Sequence, residues 1–282
     1  MGEKTAIQWT DHTFNIAWGC TRMSPACEHC YAETWAKRYG VGWGPKAERR
    51  TFGEKHWREP LKWNAKAERE GVRRRVFCSS MADVFEDHPT IEQERAKLWP
   101  LIKATPWLDW QLLTKRADRI LSCLPADFSR ATYPNVWLGF TAENQEWFDK
   151  RTRAILNQPG LWNLPVVWFV SCEPLLGEID LELAASWLSQ IIVGGESGHG
   201  ARPFDLRWAR SIVAQCKAQD VACFVKQLGA NPIEMIPPAS SFKTELVFKY
   251  RYEDRKGGDW SEWPLDLRVC QMPSVKPADR NA

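Results

Sequence analysis

The sequence predicts an α/β fold: a full or partial TIM-like (βα) barrel of parallel strands, with a small β-hairpin extension at its C-terminal end. Three observations predict it. Six short apolar runs recur along the chain, each closing on small or polar residues. Such near-continuous runs mark strands buried on both faces, as parallel sheets require. Stretches of helical composition lie between them, so strand, loop and helix repeat as successive βα units. A length of 282 residues is what one such barrel uses.

Taken in order, residues 13–18 read as a first strand, followed by a cysteine-bearing loop and a helix that begins at Tyr31. Residues 41–75 read as an insertion, because Gly40, Gly42, Gly44, Pro45 and Gly53 interrupt any long helix before residues 61–70. The recurring strands are expected at 75–78, 110–113, 135–140, 166–170, 190–193 and 221–225. Helices are expected at 91–98, 145–157, 181–188 and 206–218. Residues 1–229 then form the barrel, and 230–282 a proline-rich extension. In that extension, period-two alternation over 245–252, a Gly257-Gly258 turn and a return strand over 265–269 suggest a hairpin, with a frayed tail after Pro273. Barrel chemistry collects at the C-terminal ends of strands. Here those ends carry nearly every notable polar residue.

Composition narrows the class. Hydrophobic residues make up 44% and charged residues 26%, the profile of a soluble globular protein. The formal charge of +3, from 38 Lys and Arg against 35 Asp and Glu, does not announce a polyanionic partner. No run approaches the roughly 18 apolar residues of a membrane span, and the N-terminus lacks the apolar core of a signal peptide. Nine cysteines in a chain this rich in apolar residues are not needed as disulfide staples. The reading is therefore a cytoplasmic protein with reduced thiols. Seventeen tryptophans are many; most are expected to pack, and some to serve as stacking platforms.

The most informative motif is Cys20, Cys27 and Cys30, spaced C-x6-C-x2-C, with no fourth cysteine near enough to complete a local set. Three thiolates can hold three corners of a cubane iron–sulfur cluster and leave one iron open. An open metal position is what separates a reactive site from a closed structural one. The other reading is a zinc site with His12 or His29 as fourth ligand. Pro25, Ser24 and Ala26 suit a loop, and the helix starting at Tyr31 turns its positive end toward the thiolates.

Together with Ile7-Gln8-Trp9-Thr10-Asp11, Asn15, Ser80-Met81-Ala82-Asp83, Leu113-Thr114-Lys115-Arg116, Ser171-Cys172-Glu173-Pro174-Leu175, Gly194-Gly195-Glu196-Ser197-Gly198, Ala201-Arg202-Pro203 and Lys226-Gln227, this loop resembles the radical S-adenosylmethionine superfamily. More narrowly it resembles a radical-SAM-like family common in bacteriophage genomes. Cys30-Tyr31-Ala32 is also similar to the run in spore photoproduct lyase, a DNA-repair relative. Two features depart from the superfamily pattern. The first cysteine gap is six residues instead of three, and residues 79–83 stand where a Gly-Gly-Glu usually follows the second strand.

The resemblance implies a [4Fe–4S] cluster on Cys20, Cys27 and Cys30 whose open iron chelates S-adenosylmethionine. Reductive cleavage then gives a 5′-deoxyadenosyl radical that abstracts hydrogen from the substrate. Ser80, Asp83, Thr141, Glu143, Glu173, Gly195 and Glu196 are the implied cofactor contacts, Thr141 and Glu143 at ribose hydroxyls. Lys115, Arg116, Arg202 and Lys226 are candidates for a substrate carboxylate or phosphate. An electron donor such as flavodoxin or ferredoxin is implied as a partner. A nucleotide or nucleic-acid substrate is suggested by residues 46–75, which hold eleven Lys and Arg against five Glu, with Trp57 and Trp63 among them and Trp43 just before. The same stretch also reads as a solvated helix face laced with ion pairs. A second function class stays open: a nucleic-acid-binding protein stapled by zinc or by a passive cluster.

Overall fold

Apolar runs separated by helical stretches bury both faces only as a parallel sheet flanked by helices, and the chain builds one. The computed structural model describes residues 5–236 and 246–275. The elements run β1 (His12–Phe14), α1 (Tyr31–Arg38), α2 (Glu54–Trp57), α3 (Glu59–Glu70), β2 (Arg74–Cys78), α4 (Pro89–Lys103), β3 (Leu108–Thr114) and α5 (Ile120–Cys123). They continue β4 (Val136–Thr141), α6 (Gln145–Leu156), β5 (Val167–Cys172), β6 (Gln190–Gly194), β7 (Phe204–Asp205), α7 (Leu206–Ala218), β8 (Ala222–Gln227), β9 (Pro232–Ile236) and β10 (Leu246–Lys249). Seven strands make one sheet in the order β1-β2-β3-β4-β5-β6-β8. Neighbours pair in parallel at β1/β2, β2/β3, β3/β4 and β6/β8. The order is open at β1 and β8, so the barrel is a partial one.

Two compact units divide the chain. The first holds the residues up to Phe140 together with Arg153–Phe169; the second holds Thr141–Thr152 and Val170–Pro273. In the first unit, register puts Val76, Trp110 and Val136 in one row and Phe77, Gln111 and Trp137 in the next, all buried. Phe14 packs edge-on to Trp110, Trp63 and Trp57, which seats α3 against the sheet. Helix α3 begins with Pro60 in its first turn and stops at Gly71, whose φ of 63° is left-handed. In the second unit, α7 is capped by Asp205, whose carboxylate accepts from Arg207 N–H at 3.0 Å.

The structure corrects three sequence expectations. The first strand is only three residues long, and beyond it Trp18 makes an isolated antiparallel bridge to Arg50. The side chain of Asn15 binds the Ser80-Met81 loop there, which leaves no regular ladder to extend. Residues 181–188 form successive turns instead of a helix. Strand β10 pairs antiparallel with β9, not with residues 265–269, where a 3-10 turn lies over Leu265–Leu267. Period-two alternation announces a strand but not its partner. Glu245 and the tail from residue 276 onward lie outside the described residues. Helix α3 lies where the helix of residues 61–70 was expected, and it leads from β1 to β2. Among the described residues, no helix is long and apolar enough to cross a membrane.

Candidate functional site

In the first unit the loop after β1 carries all three motif cysteines, and none is in a disulfide. Gly19 turns the chain into this loop with φ of 111°; a Cβ there would meet Arg49 Cδ at 2.9 Å and Gly42 O at 3.2 Å. Cys27 closes a 3-10 turn, and its Sγ accepts from Met23 N–H at 3.4 Å. Cys30 is the N-cap residue of α1. The β2 loop is tied to the cysteine loop by several bonds. Gly19 N–H donates to Met81 O (3.0 Å), Asn15 Nδ2 to Ser80 Oγ (3.0 Å), Met81 N–H to Asn15 Oδ1 (2.7 Å), and Tyr31 hydroxyl to Ser80 O (3.0 Å).

Beneath Cys20 sits a buried quartet of charges that sequence reasoning did not assemble. Arg116 donates to Asp83 Oδ2 (2.8 Å), Glu86 Oε1 (3.3 Å), Thr21 O (3.0 Å) and Cys20 Sγ (3.7 Å). Arg49 grips Glu86 through two bonds of 2.9 and 2.8 Å and reaches Thr21 Oγ1 at 3.1 Å. These four side chains are between 0 and 7% exposed. Two guanidinium and two carboxylate groups balance, which is how such groups persist in a low-dielectric interior. Asp83 also accepts from the Thr114 hydroxyl, Lys115 N–H and Phe85 N–H. It is a junction between the ends of β2 and β3, with its oxygens fully engaged. Burial pushes the Cys20 thiol up to about 12, Asp83 and Glu86 adding to the shift and Arg116 opposing it. Burial opposes charge on Arg116 too, but Asp83, Cys20 and Glu86 outweigh it and hold it protonated.

The second unit gathers its candidates into three pairs. Glu143 is fully buried and bound to Arg151 at 2.6 Å, and Arg151 also donates to Thr141 O at 2.7 Å. The Thr141 hydroxyl is buried without a hydrogen-bond partner among the described residues. Glu173, after β5, meets Lys226, in β8, at 2.8 Å. A Cβ on Gly194 would come within 2.7 Å of Glu173 Oε1. Glu196 accepts from Arg202 through its backbone N–H (2.8 Å) and through Nε (3.0 Å) and Nη2. Gly195 is hemmed in: a Cβ would meet Leu228 O at 2.8 Å and Gly229 Cα at 3.1 Å.

The Cys78 and Cys172 thiols are fully buried and pushed up by desolvation, Cys78 to about 12, as inert core cysteines are. Five of the eleven basic residues in the stretch 46–75 are held in ion pairs. Arg49 binds Glu86, Arg58 binds Glu54, Arg73 binds Asp109, Arg74 binds Glu70 and Arg75 binds Asp11. Trp63 is buried and Trp57 packs on Phe14, so these two indoles are packing residues. His12, a proposed zinc ligand, stacks on Trp63 with centroids 4.6 Å apart and 12° between planes. Among the described residues, no three His, Cys, Asp or Glu side chains are gathered as for a single metal ion. A zinc ion draws its donors to about 2.0–2.3 Å, so no such cage is preformed. For a cubane the fit is one of donor chemistry: three free thiols on one loop, with a guanidinium and a backbone N–H directed at two of the sulfurs.

Fold and loop together define a class: an α/β half-barrel carrying three free cysteines on its first strand-end loop. The chain belongs to the DUF5131 family, described as a protein of unknown function, whose model matches residues 4–262. No curated protein sequence matches it. Among solved structures it is similar to spore photoproduct lyase. A double mutant of that protein, with bound AdoMet and dinucleoside spore photoproduct, is 14% identical at a TM-score of 0.45. That match covers 68% of this chain and 58% of the other, so the chain spans little more than half of that relative's length. A cysteine-to-alanine mutant with dinucleoside spore photoproduct is 13% identical at 0.47, covering 89% and 72%. A cysteine-to-serine mutant is 14% identical at 0.47, covering 90% and 72%. Similarity of this extent does not transfer a function.

Proposed function

We propose that this chain is a radical S-adenosylmethionine enzyme that acts on a nucleotide or a nucleic-acid base, in line with its resemblance to the phage-associated family. The observation that carries the proposal is the loop of Cys20, Cys27 and Cys30: three free thiols at the end of β1 in a parallel half-barrel, one of them in contact with a buried guanidinium. These cysteines would ligate a [4Fe–4S] cluster. When bound, that group supplies the electron that cleaves S-adenosylmethionine to the 5′-deoxyadenosyl radical.

The chain's own residues orient and compensate. Arg116, fixed by Asp83 and Glu86, offers positive charge to the Cys20 sulfur when it is a thiolate. Met23 N–H donates a hydrogen bond to the Cys27 sulfur. Ser80, through Asn15 and Tyr31, holds the β2 loop against the cysteine loop. In the second unit, the Glu173–Lys226 and Glu196–Arg202 pairs present matched charges suited to amino and carboxylate or phosphate groups. The unpartnered Thr141 hydroxyl suits a ligand hydroxyl. Flavodoxin or ferredoxin as electron donor and a cytoplasmic setting complete the proposal.

The test is anaerobic reconstitution with iron and sulfide, reduction by dithionite in the presence of S-adenosylmethionine, and chromatography of the products. The wild type is expected to release 5′-deoxyadenosine and Cys30→Ala none. An iron–sulfur protein that never cleaves the cofactor, or a colourless protein holding one zinc, would overturn the proposal. We favour this reading over a nucleic-acid-binding module stapled by zinc or a passive cluster; of the two candidate fourth ligands, His12 stacks on Trp63 and His29 is exposed on the cysteine loop.

A further inference from the structure

Helix α1 starts directly at Cys30 and carries aromatic residues at Tyr31, Trp35 and Tyr39, spaced i, i+4, i+8. Such spacing puts all three on one face. A stripe of this kind is ordinarily core, and here exposure decides otherwise: Tyr31 is 54%, Trp35 46% and Tyr39 56% exposed. The buried face of α1 is a different one, made by Ala32, Glu33 and Ala36. Along the exposed face the rings are ordered. Trp35 and Tyr39 lie 5.8 Å apart at 11°, and Tyr39 meets Trp18 at 5.7 Å. Arg38 lies over Trp35 at 5.6 Å and Arg50 over Trp18 at 5.1 Å.

We propose that this face of α1, continued by Trp18 and Arg50, binds single-stranded nucleic acid. From Tyr31 to Tyr39 the ladder spans about 12 Å at the helical rise. Exposed aromatic faces accept successive bases of any sequence, and guanidinium groups beside them meet the phosphates. Charge complementarity favours this occupant. Residues 31–50 contain five Lys and Arg against two Glu; with Lys37 and Glu33 paired to each other and Arg49 held by Glu86, Arg38, Lys46 and Arg50 stand against Glu48. Arg38 and Arg50 face no carboxylate among the described residues, so both are available to phosphate. The core of a protein–protein interface is instead depleted of charge. Adjacency to Cys30 puts a strand on this ladder beside the cysteine loop. The inference rests on the nucleic-acid substrate of the preceding proposal and on none of its radical steps.

The experiment is a fluorescence-anisotropy titration of the full-length, reconstituted protein with a labelled oligothymidylate, without S-adenosylmethionine, at several salt concentrations. Trp35→Ala and Tyr39→Ala are each expected to weaken binding roughly 5- to 150-fold, the factor that one base–aromatic stack represents. Arg38→Gln is expected to lower the slope of log affinity against log salt by about 0.7, one phosphate contact to a single strand. Trp162→Ala, at an exposed tryptophan elsewhere in the first unit, is expected to change nothing. Cofactor cleavage without substrate stays at the wild-type rate in all four variants, so loss of radical chemistry and loss of this face are read separately. Unchanged affinity in Trp35→Ala and Tyr39→Ala would overturn the assignment. So would equal loss in Trp162→Ala, tighter binding of duplex, or variants that bind oligonucleotide normally while losing reduction by flavodoxin.

Discussion

Replacing Arg116 with Gln removes one of two positive charges from the quartet under Cys20 and leaves Asp83 and Glu86 with Arg49 alone. Arg116 is 5% exposed and makes hydrogen bonds to Asp83, Glu86 and Thr21 of 2.8 to 3.3 Å. Breaking a buried pair from one side costs about 3–5 kcal/mol, because the stranded charge cannot be rehydrated. At roughly 2 °C per kcal/mol for a chain of this size, the melting midpoint drops by about 6–10 °C. Differential scanning calorimetry of the apoprotein reads this directly. Asp83→Asn combined with Arg116→Gln removes both signs, so the double variant is expected to melt above the sum of the two single losses. Asp127→Asn, in the exposed Lys103–Asp127 pair, serves as the surface comparison and should leave the melt unchanged. An Arg116→Gln protein that melts with Asp127→Asn would show that the quartet does not hold the loop.

Three further outcomes follow from the geometry. Gly195→Ala forces a Cβ to within 2.8 Å of a backbone oxygen that cannot step aside, a loss of about 1–3 kcal/mol by overpacking, read as a lower melting midpoint. Glu143→Gln strands the buried Arg151 and is expected to lower stability by about 3–5 kcal/mol; an unaltered melt with lost S-adenosylmethionine binding would instead put Glu143 at the ribose. Asp11 links β1 to β2. Burial alone would raise its pKa, but hydrogen bonds from the Arg75 side chain and backbone bring it below 3.8. A depressed carboxylate stabilises fully above its unfolded value and loses that contribution as pH falls through the folded one. The gap in urea midpoint between wild type and Asp11→Asn should therefore narrow from about pH 6 to about pH 2; a constant gap would deny the linkage.

What the sequence made legible was the part written in local pattern. Residues 110–113, 135–140, 166–170 and 190–193 all became strands because a run that is apolar on both sides has few other folds open to it. The cysteine loop was legible for the same reason, its three cysteines lying within one short segment. The quartet was not: Arg49 and Glu86 lie 37 residues apart, and Arg116 and Asp83 lie 33 apart. Only the register of β1, β2 and β3 brings them together. The pairing of Asp83 with Arg116 and of Glu143 with Arg151 was likewise invisible in the sequence. Arginine in a motif looks alike whether it meets a phosphate or a buried carboxylate. Burial separates the two, and burial is not a property of short sequence. The exposed ladder on α1 is the converse case, since aromatic spacing of four is the pattern of a core face.

The account depends most on one iron of a cluster held by Cys20, Cys27 and Cys30 being open to the cofactor. Electron paramagnetic resonance of the reconstituted, dithionite-reduced protein, recorded before and after addition of S-adenosylmethionine, tests this directly. The prediction is a reduced-cluster signal, with about four irons per chain, whose shape changes when the cofactor binds, and no such signal in Cys20→Ala. A cluster signal that S-adenosylmethionine leaves untouched would contradict it.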